Sequence, residues 1–277
     1  FNLENYHISF ISSQMDLSSF YDIRPTVYGG RGCFASVDIS QGTPIHEVAQ
    51  PLSLTVLRSF KKEVCLWCFH YDYGRSMKFK IENLPHFYFC GQKCIENFER
   101  WDKSHVYRNN VVNIENWYTK VQKKSRPEPK TDIVISPEVF HQEKERTIYW
   151  EAKLPKKATK LLNELPSIDE NELMELKYVL GILYEKYLNA ECQQVNLTVF
   201  EELQDDTLLK LTKYPYLLDS YKRVYQFLRI VVLDELLPFL SAEMFWYSIG
   251  KNLSNAFGIW TLDEGEKEFL GYSLYPT

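Results

Sequence analysis

Two cysteine pairs constrain the fold of this chain more than any other feature of its sequence. Cys65 and Cys68 form a Cys-x-x-Cys knuckle, and Cys90 and Cys94 form a Cys-x-x-x-Cys pair at the expected start of a helix. Pairs at this spacing supply four thiolates to one tetrahedral zinc ion, which then contributes folding free energy to a segment with little core of its own. We therefore predict one structural zinc bound by Cys65, Cys68, Cys90 and Cys94.

Three alternatives to this zinc site stay open at the level of the sequence. The thiols could be free or buried, the Cys-x-x-Cys pair could be a redox motif, and His70, His86 or His105 could replace one cysteine ligand. A catalytic metal is not expected, because four protein thiolates leave no open coordination position.

Composition narrows the class of protein further. The chain has 277 residues, which is long enough for one large domain or two ordinary ones, and its six cysteines suit a metal site in a reducing compartment. We therefore expect an intracellular protein, in the nucleus or the cytoplasm. A net charge of −5 argues against a dedicated nucleic-acid binder. The most apolar run, residues 227–240, is too short to span a bilayer, so no membrane association is expected.

The order of sequence patterns along the chain predicts an α+β protein. Short β elements occupy about the first 58 residues, the cysteine pairs follow, and a basic, proline-containing loop is expected at residues 120–130. Residues 167–170 have the form of a capping box before a helical stripe that reaches Tyr187. A second helix is expected from Tyr221 to about Leu237, ended or kinked by Pro238. Strands are expected again at residues 256–261 and 269–275. A β fold interrupted by insertions is the simplest architecture, because the terminal β segments are too small to bury cores alone.

The glycine-rich stretch at residues 29–32 is not a phosphate-binding loop. It lacks the lysine and hydroxyl of a Walker motif, and it also lacks the third glycine and following helix of a dinucleotide motif. Residues 37–45 instead predict a strand, a turn at Ser40 to Gly42, and a second strand. The glycines then belong to a turn between short strands, either as a plain hairpin without a ligand or as a place where a ligand meets bare backbone.

These motifs, taken in order, resemble SET-domain protein lysine methyltransferases. The segments GRGCFA at residues 30–35, SNAFGI at 254–259 and GYSLYP at 271–276 are similar to successive segments of that family. The cysteine pairs fall where SET proteins with a MYND-type zinc finger carry their insertion, and they are similar to a reduced, one-zinc version of it. The combination most resembles small fungal SET proteins. Close matching covers about residues 28–100 and 253–277.

The resemblance implies site residues and a cofactor. Gly30, Arg31, Gly32 and Asn255 would contact S-adenosyl-L-methionine, and Phe257 would line the channel for the substrate lysine. The asparagine-histidine-serine-cysteine motif of the family would begin a few residues beyond Thr277, so none of the residues given is assigned as catalytic. The implied activity is S-adenosylmethionine-dependent methylation of a lysine in a protein substrate.

The same resemblance implies a division of the chain into four segments. Residues 1–60 would be the first part of the SET domain, 61–105 the MYND-like finger, 106–252 a mostly helical insert, and 253–277 the start of the SET core. A rival interpretation is an inactive SET and zinc-finger scaffold that binds a protein partner through a groove of aromatic side chains, namely Trp67, Tyr88 and Trp101. The sequence indicates no oligomeric state.

Overall fold

The computed structural model describes residues 20–28, 30–45, 51–124, 133–155, 158–192, 198–261 and 267–274. The described residues up to 45 form one compact unit, and those from 51 onward form a second. Helices and strands both occur, which confirms the predicted α+β class. The basic loop expected at residues 120–130 lies largely outside the described residues, since only residues up to 124 are covered there.

The first unit contains a β-hairpin. Strand β1 (Tyr21–Pro25) pairs antiparallel with strand β2 (Arg31–Ala35). Gly30 has a φ of 70°, in the left-handed region that glycine adopts at little cost, and its carbonyl accepts a 3.0 Å hydrogen bond from the backbone N–H of Thr26. The glycine stretch therefore closes a hairpin, as expected for a turn between short strands.

The strands predicted within residues 37–45 do not form. β2 ends at Ala35, and residues 36–45 follow as bends and turns, with the N–H of Thr43 donating to the Ser40 carbonyl at 3.1 Å. Val37 and Ile45 are exposed. β-branched residues favour a strand only where a neighbouring strand and a packed face support it, and this segment has neither.

The second unit begins with the cysteine-bearing segment and continues into a layer of helices. Its first elements are strand β3 (Ser53–Val56), a 3-10 turn (Arg58–Phe60), strands β4 (Phe79–Lys80) and β5 (Tyr88–Phe89), and helix α1 (Gln92–Trp101). The helices that follow are α2 (Val106–Val121), α3 (Pro137–Ala152), α4 (Glu170–Cys192), α5 (Thr198–Glu202), α6 (Thr207–Lys213) and α7 (Leu217–Val231). The unit closes with helices α8 (Ala242–Gly250) and α9 (Asn252–Asn255) and strands β6 (Ala256–Trp260) and β7 (Phe269–Leu274).

Strands from the two ends of this unit form one antiparallel sheet of order β3-β7-β6. Helix α4 packs directly against β3, where the Oγ of Ser53 donates a 2.7 Å hydrogen bond to the carbonyl of Tyr178. The close approach depends on Gly181, because a Cβ at that position would lie 2.2 Å from the same Oγ. The sheet therefore joins segments more than 200 residues apart, and α4 covers it.

Helices α4 and α7 form the centre of the hydrophobic core. The predicted stripe on α4 is buried except for its last residue, Tyr187, which is partly buried, and the apolar residues of α7 that face it are buried too. The predicted capping box, however, starts two residues too early. In the structure Asp169 accepts from the N–H of Glu172, and Glu172 accepts from the N–H of Asp169. The hydroxyl of Ser167 is buried instead of capping the helix.

The second predicted helix lies earlier in the chain than expected. α7 runs over Leu217–Val231 and ends before Pro238 is reached. Pro238 lies inside a separate 3-10 turn (Leu237–Phe239), near its start, where its missing N–H leaves no bond unmade. Pro238 is therefore not what ends α7.

Candidate metal centre and cofactor residues

The first two cysteines lie on a tight knuckle between the 3-10 turn and β4. A single antiparallel bridge joins Val64 to Tyr71. Between them the N–H of Cys65 donates to the His70 carbonyl at 2.8 Å, and the N–H of Phe69 donates back to the Cys65 carbonyl at 3.0 Å. Phe69 has a φ of 61°, an unusual conformation for a bulky residue that persists only where surrounding contacts impose it.

The other two cysteines are positioned by β5 and α1. Cys90 follows β5 directly, and Cys94 lies in the first turn of α1. The N–H of Leu66 donates a 2.9 Å hydrogen bond to the carbonyl of Tyr88, which ties the knuckle to β5. This bond brings the knuckle of Cys65 and Cys68 close to Cys90 and Cys94.

The four sulfur atoms meet in a compact cluster. All Sγ atoms of Cys65, Cys68, Cys90 and Cys94 lie within 4.8 Å of one another. The Cys68 to Cys90 separation is 3.5 Å and the Cys90 to Cys94 separation is 3.6 Å. A tetrahedral zinc ion with Zn–S bonds of ~2.3 Å requires sulfur separations of about 3.8 Å. The cluster can therefore hold one metal ion, and its donor set is the one that zinc prefers.

Without a metal ion, the electrostatics of the cluster favour a thiolate at Cys65 and raise the pKa values of the other three thiols. Hydrogen bonds from the thiols of Cys68 and Cys94 hold the pKa of Cys65 well below its usual range, although burial opposes the shift. The same bonds raise the pKa of Cys94, because its proton is shared with Cys65 and Cys68. Four thiols so close together cannot all ionise without a cation among them. A divalent metal ion supplies that charge.

The histidines considered as substitute ligands do not join the cluster. Within the described part of the chain, the candidate metal group consists of the four cysteines alone. The Nδ1 of His86 lies 3.0 Å from the Nζ of Lys61, and His105 adopts a left-handed conformation at the start of α2. No histidine has to be invoked as a ligand.

The aromatic residues near the finger mostly pack inward. Trp67, Tyr88 and Trp101 are each partly buried against the main core. Trp101 donates from Nε1 to the carboxyl of Glu185 at 3.0 Å, and its ring meets that of Tyr184 with centroids 4.7 Å apart. Trp101 thus anchors the finger to α4.

The predicted cofactor residues of the first unit lie on its hairpin. Gly30 and Arg31 are exposed, and Gly32 is half-buried opposite Arg24 in the strand pairing. A Cβ at Gly32 would lie 3.0 Å from the Cγ2 of Thr26, so a larger residue there would require the Thr26 side chain to shift by a few tenths of an ångström. Their cofactor role stays a prediction.

The predicted residues of the second unit lie where α9 meets β6. Asn255 donates from Nδ2 to the carbonyls of Gln204 at 2.9 Å and Lys251 at 2.7 Å, which are the contacts of a capping amide. Phe257 is 56% exposed, so its ring is not part of the core. Neither contact pattern tests a cofactor or substrate role, and both assignments stay predictions.

A polar network beside these residues was not predicted. The Nδ2 of Asn252 donates to a carboxyl oxygen of Glu175 at 2.5 Å and to the hydroxyl of Tyr272 at 2.9 Å. Burial raises the pKa of Glu175. The network joins α4, α9 and β7, and no local sequence signal could reveal it, because its members are up to 97 residues apart.

Mixed helices and strands define an α+β protein that carries a four-cysteine cluster able to hold one metal ion. The chain is similar to the potential protein lysine methyltransferase SET6 of Saccharomyces cerevisiae (strain ATCC 204508 / S288c), with 28% identity over 298 aligned residues that cover 94% of this chain and 78% of the relative. This similarity supports the SET-domain methyltransferase family for the chain. No family model matches it.

Membrane-spanning helices are absent from the described residues. No helix among them combines the length and the apolar character needed to cross a bilayer.

Proposed function

We propose that this protein is a SET-domain enzyme that transfers a methyl group from S-adenosylmethionine to a lysine side chain of a protein. The observation that carries the proposal is the similarity to a potential protein lysine methyltransferase along 94% of the chain. The order of the glycine turn, the cysteine pairs and the strands β6 and β7 supports the same conclusion.

The proposal assigns each segment of the chain to a domain or an insert. Residues 1–60 and 253–277 contribute to the SET domain, residues 61–105 form a reduced MYND-like finger, and residues 106–252 form the helical insert. In the finger, Cys65, Cys68, Cys90 and Cys94 hold one zinc ion. This zinc is structural, because all four positions of a tetrahedral ion are occupied by protein sulfur.

In this proposal Gly30, Arg31, Gly32 and Asn255 contact the cofactor, and Phe257 lines the substrate channel. S-adenosylmethionine would supply a methyl group activated by its sulfonium: a neutral lysine amine would form the new N–CH3 bond as the S–CH3 bond breaks, with S-adenosylhomocysteine as the leaving group. Glycine backbone permits close approach of a ligand, and the exposed Phe257 ring offers an apolar wall for the lysine stem. Alignment and exclusion of water account for most of the rate in such a transfer.

The first test measures binding of S-adenosylmethionine to the full-length protein by isothermal titration calorimetry. Asn255→Ala should weaken binding about tenfold, the effect of losing one good hydrogen bond to a ligand. Asn163→Ala removes an exposed amide elsewhere and should leave the dissociation constant unchanged. Thermal unfolding of each variant separates loss of binding from loss of the capping bonds of Asn255.

Two outcomes would redirect the proposal. Normal cofactor binding by Asn255→Ala would remove that residue from the site while leaving the enzyme proposal intact. Absence of any binding to the wild-type protein would overturn the enzyme proposal and favour the interaction scaffold. Where the cofactor binds, transfer of its tritiated methyl group to lysine in a protein extract should fall in Phe257→Ala without a change in cofactor affinity.

A further inference from the structure

A small cavity lies behind the cysteine finger, and its lining includes none of the residues assigned above to the metal or to the cofactor. Its volume is about 30 Å³, which corresponds to one water-sized particle. Four polar side chains line it together with apolar ones: Thr55 of β3, Lys61 and His86 of the finger segment, and Lys177 of α4. The cavity therefore lies where the sheet, the finger and the helical core meet.

The charges around the cavity are unbalanced. Glu115 is fully buried and pairs with Arg58 through a 2.8 Å contact and with Lys177 on its other oxygen. Burial alone would raise the pKa of Glu115, but Lys177 and Arg58 outweigh it and hold the pKa at about 2. Glu115 is thus an anion whose two oxygens are already paired with Arg58 and Lys177.

Lys61 adds a third cation without adding a second anion. Among the described residues it forms no ion pair, and the charges that act most strongly on it are those of Glu115, Arg58, Lys177 and Lys62, of which only the first is negative. Its Nζ donates to the Nδ1 of His86 at 3.0 Å. Burial lowers the pKa of His86 to about 4, so this ring is a neutral acceptor near pH 7. Burial and the neighbouring cations lower the pKa of Lys61; with its amine protonated, Lys61, Lys177 and Arg58 together exceed Glu115 by two positive charges.

An unsatisfied donor faces the same region. Thr55 is 2% exposed, and its Oγ1 has no hydrogen-bond partner within the described part of the chain. A buried hydroxyl without a partner costs about 1–3 kcal/mol, so such groups normally meet a protein atom, a water or an ion.

We propose that this cavity binds one small monovalent anion of the size of chloride, held by Lys61, Lys177 and the hydroxyl of Thr55. A water molecule would satisfy Thr55 but would leave the excess positive charge uncompensated. A monatomic anion suits a space of this volume better than a polyatomic anion such as phosphate or sulfate. The bound anion would tie the finger to β3 and α4. This proposal is independent of the methyltransferase proposal.

The test compares thermal unfolding of the zinc-loaded protein in sodium chloride and in sodium gluconate at equal ionic strength. Chloride fits the cavity and gluconate does not. For a ligand that binds only the folded state, we expect the midpoint to be higher in chloride by on the order of 3 °C. Lys61→Met and Thr55→Val should each abolish most of this difference.

The control is Lys62→Met, which removes the same charge from a neighbouring exposed side chain that does not line the cavity and should keep the chloride effect. Each variant is compared with itself in the two salts, so a change in its baseline stability does not affect the outcome. Equal midpoints in both salts for the wild-type protein would overturn the proposal, as would a chloride effect of unchanged size in both Lys61→Met and Thr55→Val. Should one of these variants not fold, the other decides.

Discussion

At the scale of single residues, Glu185 is a buried carboxyl whose ionised form destabilises the folded protein. Its side chain is 6% exposed, and the Nε1–H of Trp101 donates a 3.0 Å hydrogen bond to it. Burial raises the pKa of this carboxyl from 4.5 to about 7, and the bond from Trp101 only partly opposes the shift. The folded protein therefore binds this proton more tightly than the unfolded chain does.

The sign of the pH effect follows from that difference. Stability is unaffected by Glu185 below its unfolded pKa, falls as the pH rises from about 4.5 to about 7, and stays reduced above that. Gln at this position keeps an acceptor for Trp101 and never ionises. We expect Glu185→Gln to raise the free energy of unfolding by up to about 3 kcal/mol near pH 8 and to change it little near pH 4.

Denaturant unfolding of both proteins across this pH range checks the prediction. Glu191→Gln, on an exposed position of the same helix, serves as the matched control and should show no pH-dependent gain. A gain that is the same at both ends of the range would contradict the assigned role of ionisation.

The sequence predicts the four cysteines but not the buried acids Glu185 and Glu115. The four cysteines could be predicted because each pair is local, with its ligand spacing written in consecutive residues. The partners of Glu185 and Glu115 are 84 and 62 positions away, respectively, so no local pattern signals them. Their environments exist only after α2 and α4 have packed together.

At the scale of elements, apolar periodicity predicted α4 well and its boundary less well. Ser167 and Asp169 can each cap a helix, and each is followed three residues later by an acid. Glu172 bonds back to Asp169, whereas Glu170 accepts from the N–H and hydroxyl of Ser59. Residues 36–45 failed as strands for the opposite reason, since propensity alone cannot supply a pairing partner. Tertiary context decided both cases.

The contact of α4 with β3 gives a prediction at this scale. Alanine is a better helix former than glycine by ~1 kcal/mol, yet a Cβ at Gly181 would lie 2.2 Å from the Oγ and 2.9 Å from the Cβ of Ser53. We expect Gly181→Ala to lower the free energy of unfolding by about 2 kcal/mol, because the helix must move off the strand.

Chemical denaturation measures this change directly. Asn171→Ala places alanine on an exposed position of the same helix and should be neutral or slightly stabilising. Addition of Ser53→Gly to Gly181→Ala should recover part of the loss. A stabilised Gly181→Ala protein would show that helix propensity outweighs the contact.

At the scale of the whole molecule, the finger shares one hydrophobic core with the helices but depends, in addition, on its four cysteines. The core is a continuous set of buried apolar side chains centred on α4 and α7. The finger contributes a small aromatic edge to this core, in which the rings of Phe87 and Phe89 each lie about 5.5 Å from that of Phe98. A segment of this size usually needs a metal ion or an equivalent cross-link to stay folded.

Removal of the metal should therefore destabilise the finger and leave the helical core folded. On chelation we expect amide hydrogen exchange to accelerate at least tenfold across residues 64–98, whereas α4 and α7 should keep their protection, because their contacts do not involve the cluster. Cys94→Ser should reproduce the effect without a chelator. Cys33→Ser, which changes an exposed thiol outside the cluster, should leave exchange in the finger unchanged. If chelation unfolded α4 and α7 together with the finger, the finger and the helices would unfold as one cooperative unit that depends on the metal. If exchange did not change anywhere, the four cysteines would not be holding a structural ion.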